Sequence, residues 1–419
     1  MNGDHDFRSS VKFAVRPFFY IAIALAFIGV MPTSSQSQTF TLLHAFAGGG
    51  QGGYPPAQSI TLDSHGNLYG AAYVVFKLAA NGSGWTYSPL FDFPIPYDGQ
   101  YPNVVTVARD GSLYGATYNG GNNGCVNPNG CGTVFRLQPP PTQCAAVLCP
   151  WDETVVYRFT GNGNGDAPIG TIVFDGAGNL YGTTNEGGST TGGCAHSNCG
   201  VVYKLTRSNG GWTQSVIYQF TGGNDGAVGV SGLVMDGAGN LYGVATGGQT
   251  YGCGTVYELT PSGSGWTETT IHDFTERDGC GAAGNPLIDR AGNVYVATAL
   301  GGQNNAGTLV EFSPSNGNWS ESVLHSFSAE NTSSKWGLVI DSAGNFYGTT
   351  VEGGGYQQGS VFKLTQSGSG WTETTMHNFS DGLDGGFAFS LVLDQNGKLL
   401  GTTAKGGVSG YGTIWEITP

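Results

Sequence analysis

Short runs in which apolar and polar residues alternate, each closed by Gly, Asn, Asp or Ser, fill the chain from residue 39 to its end. A period of two places successive side chains on opposite faces of an extended backbone, so these runs predict strands. They come in groups of four. In one group LVIDSAGN (338 to 345) alternates into a turn and FYGTT (346 to 350) follows; a glycine-rich loop then leads to GSVFKLT (359 to 365), and the turn QSGSG to WTETTMHNF (371 to 379). The group recurs seven times, marked by Leu68-Tyr69-Gly70, Leu113-Tyr114-Gly115, Leu180-Tyr181-Gly182, Leu241-Tyr242-Gly243, Val294-Tyr295-Val296, Phe346-Tyr347-Gly348 and Leu399-Leu400-Gly401. Intervals between the third positions are 45, 67, 61, 53, 52 and 53 residues, a basic unit of about 53. That period suits propeller blades, which commonly take about 40–50 residues.

The ends of the repeat array decide between a ring and an open stack. The last group stops at GTIWEITP, its third strand, while TFTLLHAF (39 to 46) near the other end matches the fourth-strand pattern. A ring gains from that arrangement because the early strand completes the last sheet and removes a free edge. The expected fold is therefore all-β: a closed seven-bladed propeller of four-stranded antiparallel blades, spanning 38–419. The first unit departs from the pattern, since Ala71-Ala72-Tyr73-Val74-Val75-Phe76 omits the glycine loop.

The phrase D-x-x-G-N-L-Y-G is the hairpin between first and second strands. Asp63, Asp175, Asp236, Asp289, Asp341 and Asp394 open it, and only the second unit, with Ala108, lacks the aspartate. Six recurring carboxylates invite a calcium or catalytic reading. Turn capping explains them with fewer assumptions, because Asp accepts backbone N–H groups in such turns.

Composition narrows the function. Net charge is −14, from 15 basic and 29 acidic residues, with no Lys/Arg run to meet phosphates, so nucleic acid is not an expected partner. Residues 1–37 hold Arg8, Lys12 and Arg16, then fourteen apolar residues from Phe18 to Met31, then small polar residues. This reads as a signal peptide cleaved near Ser37, with an uncleaved anchor as the alternative. Beyond it no apolar segment of spanning length follows, and the expected product is an exported monomer, periplasmic or extracellular. The eight cysteines fit that compartment. Three tight pairs (Cys125 with Cys131, Cys144 with Cys149, Cys194 with Cys199) leave Cys253 with Cys280, which predicts four disulfides. Loop entropy gives about 2–2.5 kcal/mol for each short loop and about 3.5 for the long one. A zinc site using Cys194, His196 and Cys199 is the alternative.

No nucleophile elbow, H-E-x-x-H or phosphate loop is present. His44, His272, His325 and His377 each precede a fourth-strand Phe by two residues, where other blades have Phe91, Tyr157 or Tyr218, so the position reads as packing. The remaining histidines are His5 in the leader, His65 in a turn and His196 between cysteines. Trp85, Trp151, Trp212, Trp266, Trp319 and Trp371 open the fourth strands, where regular recurrence favours packing over sugar stacking. Strands one and three run the same way, so the loops entering them share one face. That face carries the glycine loops and the segments around Asp98, Asp166, Asp225, Asp278 and Asp384. Variable loops on a rigid scaffold are where binding usually resides. Glu186, Glu352, Lys405, Trp336, Asp225 and Asp384 are the candidate ligand-binding residues, with no catalytic residue, metal or cofactor assigned.

The stretch GNLYGTT…EGG…GVVYKLT…GWTQSVIYQFTGGNDG (178 to 226) resembles the GloVer-type (Gloeo_Verruco) tandem repeat of exported bacterial proteins, and the resemblance recurs across 39 to 419. It implies a secreted propeller. Relatives often end in a surface-anchoring tail, whereas this chain stops at Pro419 directly after a strand, so that anchor is not expected. The leading functional reading is a non-catalytic binding or scaffold protein engaging a glycan or a cell-surface protein. The alternative is an enzyme, since D-x-x-G-N-L turns in propellers also resemble streptogramin lyases and gluconolactonase-like hydrolases, which imply a metal and convergent His/Glu residues over the channel.

Overall fold

The computed structural model describes residues 38–48, 59–82, 84–93, 99–121, 125, 128–140, 151–190, 194, 199–208, 210–227, 231–247, 252–282, 284–331 and 335–419. Each predicted group of runs forms an antiparallel sheet, and seven such sheets form a β-propeller. Blade 6 shows the unit: inner strand Lys335–Ile340, then Phe346–Thr350, Ser360–Ser367 and outer strand Gly370–Asn378. The ring closes as the sequence predicts. Blade 7 runs Gly386–Leu393, Leu399–Lys405 and Thr413–Thr418, and its outer strand is Thr39–Ala45, with Thr39 opposite Thr418 and Thr41 opposite Glu416. Phe46 follows that strand and is fully buried against Phe76 and Tyr87 of blade 1. Closing strand and first blade are thereby pinned by one side chain. In blade 1 the strands Leu68–Ala71 and Val74–Asn81 are joined with no glycine loop between them.

The Tyr-Gly signature has a packing cause. A Cβ on Gly70, Gly115, Gly182, Gly243, Gly348 or Gly401 would sit within 2.2 to 2.5 Å of the aromatic side chain of Phe76, Phe135, Tyr203, Tyr257, Phe362 or Trp415. Each ring belongs to the residue paired with that glycine on the third strand. Blade 5 tests the rule from within the chain: Val296 replaces the glycine, and its partner is the smaller Val310. Volume is conserved across the pair, as close packing demands.

The turn aspartates are caps. Asp341 Oδ1 accepts the N–H groups of Ala343 (2.8 Å) and Asn345 (2.9 Å), and Oδ2 accepts Asn345 Nδ2 (2.8 Å) and Tyr347 Oη (3.0 Å). Asp63, Asp175, Asp236 and Asp289 repeat this set. Burial raises the Asp341 pKa, but the hydrogen bonds from Asn345, Tyr347 and Ala343 outweigh it and hold the carboxyl below its usual value. The second unit, where Ala108 stands, is not without a carboxylate. Asp110, two residues on, accepts Ser112 N at 3.0 Å and pairs with Arg136 at 2.7 Å.

The core lies between blades. Tyr181, Val202 and Phe220 of blade 3 pack with Leu233, Leu241 and Tyr257 of blade 4. Four of the six fourth-strand tryptophans work here too, edge-on to a tyrosine of the preceding blade: Trp151 to Tyr69, Trp212 to Tyr114, Trp266 to Tyr181, Trp319 to Tyr242. Inner strands of blades 2, 3, 6 and 7 carry bulges midway, at Pro102/Val104, Ile169/Val173, Trp336/Val339 and Ala388/Leu391. These bulges bring inner strands together around the central channel: a Cβ on Gly170 would meet Gly232 N at 2.4 Å, and one on Gly337 would meet Leu391 N at 2.5 Å.

Candidate functional site

The loop-rich face is built on a second capping system. After each outer strand the chain must turn inward to the next blade; an acid ties most of the described turns, and Asn164 ties the one after blade 2, accepting Thr160 N at 3.4 Å and Thr160 Oγ1 at 3.1 Å. Asp225 is buried, and its carboxylate accepts Thr221 N (2.7 Å), Thr221 Oγ1 (2.7 Å), Gly223 N (3.1 Å) and Tyr218 Oη (2.9 Å). Asp278 ties Thr275 N (2.7 Å) and Thr275 Oγ1 (2.9 Å) and lies 3.0 Å from His272 Nε2; Asp384 ties Ser380 N (3.1 Å) and lies 3.1 Å from His377 Nε2. In the turn after blade 5, where Glu330 is exposed, Glu373 of the next outer strand reaches in instead, 2.9 Å from His325 Nε2 and 3.1 Å from Ser328 N.

This corrects the purely packing view of the fourth-strand His/Tyr position. His272, His325 and His377 do lie edge-on to Phe274, Phe327 and Phe379. Their ring nitrogens also anchor the inter-blade turn, a task Tyr157 and Tyr218 perform through hydroxyls. His44 instead stacks on Tyr87 with centroids 4.1 Å apart. None of the described histidines lines the central channel.

Of the six predicted residues, Asp225 and Asp384 are therefore occupied by their own loops. Glu186 ends the strand Leu180–Glu186 opposite Asp166. Asp166 is 7% exposed, and its Oδ1 has no hydrogen-bond partner. Burial, then the charge of Glu186, pushes the Asp166 pKa up to about 6. Trp336 lies away from the others, lining the channel with its ring 6.0 Å from that of Phe389. Glu352 and Lys405 are exposed, and Lys405 Nζ stands 3.9 Å from the Phe387 ring centroid.

Three of the four predicted disulfides are formed: Cys125–Cys131, Cys194–Cys199 and Cys253–Cys280. Oxidised sulfur cannot serve as a thiolate ligand, which removes the zinc alternative at Cys194 and Cys199. Cys144, Cys149, His196, Asp98 and the leader 1–37 lie outside the described residues. His272, Asp278 and Glu321 come within 4.8 Å of one another and could in principle ligate an ion, but His272 Nε2 and Asp278 are already joined in the turn anchor.

The face also holds residues that sequence reasoning missed. At the start of the inner strands the backbone enters the left-handed region, φ +58° at Tyr101, +54° at Ala167, +67° at Gly281 and +59° at Phe387. Glycine tolerates this freely, while a bulky side chain there is held against a local cost. Phe387 N donates to Gln358 O at 2.7 Å, tying it to the blade 6 loop. The loops of blades 6 and 7 on the same face carry the exposed side chains Tyr356, Leu383, Val408 and Tyr411, and in blade 2 the exposed Tyr101 lies with its ring centroid 5.7 Å from that of the half-buried Tyr73. The available signal was an aromatic in the place where another repeat has glycine.

The Gloeobacter/Verrucomicrobia repeat profile matches residues 29–197, 74–290 and 282–419. The chain belongs to that repeat family. No curated protein matches it. Among solved structures, it is similar to the extracellular domain of a B. thetaiotaomicron protein assigned as a hybrid two-component system, at 13% identity and TM-score 0.55. That alignment covers 90% of this chain and 39% of the other, so the repeat family member spans well under half of that domain. A second structure of a B. thetaiotaomicron extracellular domain, assigned to a one-component system, gives 12% identity, TM-score 0.52 and coverage of 90% and 40%. A gluconolactonase from Xanthomonas campestris aligns at 11% identity over 91% and 89% of the two chains, with a TM-score of 0.39 that carries no argument. These likenesses concern the fold. No helix among the described residues of this repeat protein is long and apolar enough to cross a membrane.

Proposed function

We propose that this chain is exported, with residues 1–37 as its signal peptide, and acts as a monomeric binding scaffold. The arc of blades 6, 7, 1 and 2 on the loop-rich face engages a glycan or a surface protein, with a glycan favoured. One observation carries the reading: Tyr101, Tyr356, Leu383, Val408 and Tyr411 are all exposed on the loops of that arc, which also holds Phe387 and Tyr101 at positive φ. Exposed apolar clusters mark interaction sites, and backbone strain persists where it has a use. Flat aromatic faces suit the C–H faces of sugar rings. Lys405 and Glu352 supply charge beside them for hydroxyl or carboxylate groups. The disulfides and the likeness to extracellular domains support an extracytoplasmic site of action.

The test is binding of residues 38–419 to a broad glycan array, with calcium and with chelator, followed by Phe387→Gly and Tyr356→Ala. Phe387→Gly removes the ring while leaving a residue at ease with the backbone, so stability should hold within about 1 kcal/mol. A saturable hit weakened at least about tenfold by either change supports the face. A blank array sinks the glycan reading, and a hit indifferent to both variants places binding elsewhere.

A further inference from the structure

We infer that the central channel, opening on the face opposite the loops, binds an anionic amphiphile: a small molecule with an apolar body and one negatively charged group. The channel encloses a cavity of about 950 Å³, within the usual range of small-molecule pockets. Its lining runs from the inner-strand bulges to the hairpin turns at Arg109–Asp110 and Asp175–Gly178, so its mouth lies among the turns. The wall is apolar and partly accessible, with Val107, Phe174, Met235, Leu287, Ile288 and Val392. At the bulges the Asn285 side chain spans the channel side of three blades, Oδ1 accepting Gly232 N at 2.7 Å and Nδ2 donating to Thr171 Oγ1 at 2.6 Å. A polar bridge thus bounds the apolar stretch at its inner end.

Charge at the mouth selects the ligand. Arg109 and Arg207 both line the cavity and are exposed, and neither is ion-paired among the described residues. The acids near them are occupied: Asp110 by Arg136, Asp175 by its own turn. In a chain of net charge −14, two unpaired guanidinium groups over an apolar well form a local positive site. An apolar body fills the channel and replaces water along its wall. The anionic group then meets the arginines, whose planar forks fit carboxylate or sulfonate oxygens. A cationic amphiphile finds the same well but the wrong mouth.

Calorimetry at monomeric amphiphile concentrations tests this, using dodecanoate and dodecyltrimethylammonium as probes. Dodecanoate is expected to bind saturably at one per chain, and the cation not to. Arg109→Gln with Arg207→Gln alters only exposed side chains, leaves the fold intact by circular dichroism, and should weaken dodecanoate at least about tenfold. Leu287→Glu, which puts a carboxylate in the wall, should abolish binding, while Phe387→Gly on the other face should leave it unchanged. Absence of saturable dodecanoate binding overturns the inference. So does equal binding of the cation, or indifference to the arginine changes.

Discussion

Replacing Asp341 by alanine separates a turn cap from a metal ligand. The carboxylate accepts four hydrogen bonds, two from backbone N–H groups and two from Asn345 Nδ2 and Tyr347 Oη. At a partly exposed site each contributes roughly 0.5–1 kcal/mol, so Asp341→Ala should cost about 2–4 kcal/mol. Asp394 offers an internal gradient. Its turn is followed by Leu400 instead of tyrosine, and it accepts three bonds, from Asn396 N, Asn396 Nδ2 and Lys398 N. Asp394→Ala should therefore cost less, about 1.5–3 kcal/mol. Urea unfolding followed by fluorescence, with calcium and with chelator, reads both. The native carboxyl of Asp341 lies below its unfolded value, so its stabilisation is complete above about pH 4 and lost as pH falls through the folded pKa. The gap between wild type and Asp341→Ala should accordingly narrow as pH falls below about 4. A cost under about 0.5 kcal/mol, a cost seen only with calcium, or a gap that does not narrow as pH falls below about 4 refutes capping as the role.

Phe46→Ala tests ring closure: the side chain is fully buried between the closing strand and blade 1, so the change should cost about 3–4 kcal/mol and expose the Thr413–Thr418 edge to self-association. Light scattering with unfolding measurements checks it, and a stable monomeric variant contradicts the pinning role. Asp166 has a folded pKa raised to about 6, so the folded state holds its proton more tightly than the unfolded state does. Stability is then lost as pH rises from the unfolded value to about 6, and Asp166→Asn should melt like wild type near pH 4 but higher at pH 7. An equal offset at both pH values removes the carboxyl as its source.

The ring was legible because propeller blades repeat one solution seven times, and repetition exposes the strands, the turns and even the missing outer strand of blade 7. The pairing of Gly with a third-strand ring was also present in the sequence, and the swap to Val296 with Val310 is its signature. The inter-blade anchors were harder to see. His272 meets Asp278 six residues away, but His325 meets Glu373 across 48 residues, so no local spacing describes the position. That is why His and Tyr there read as packing: the donor is visible in the strand, while the acceptor comes from whichever segment the fold brings near.

The same logic explains why the candidate site was only partly readable. Asp225 and Asp384 stand out as loop acids, yet their oxygens are filled by the N–H and hydroxyl groups of the turns they tie. A carboxylate that shapes a loop and one that greets a ligand look alike in sequence, because both favour Asp beside Gly and Ser. Backbone conformation separates the cases. Phe387 and Tyr101 occupy a left-handed position where Gly281 shows the unstrained solution, and a bulky aromatic kept there needs a reason beyond the turn itself. The channel was harder still, since its wall is made of ordinary strand residues. Its character depends on Arg109 and Arg207, which come from neighbouring blades and line one cavity only when those blades pack. In a repeat protein, then, uniform positions report the scaffold. Function is best sought where one blade breaks the local conformational rule, or where residues from two blades meet at a shared opening.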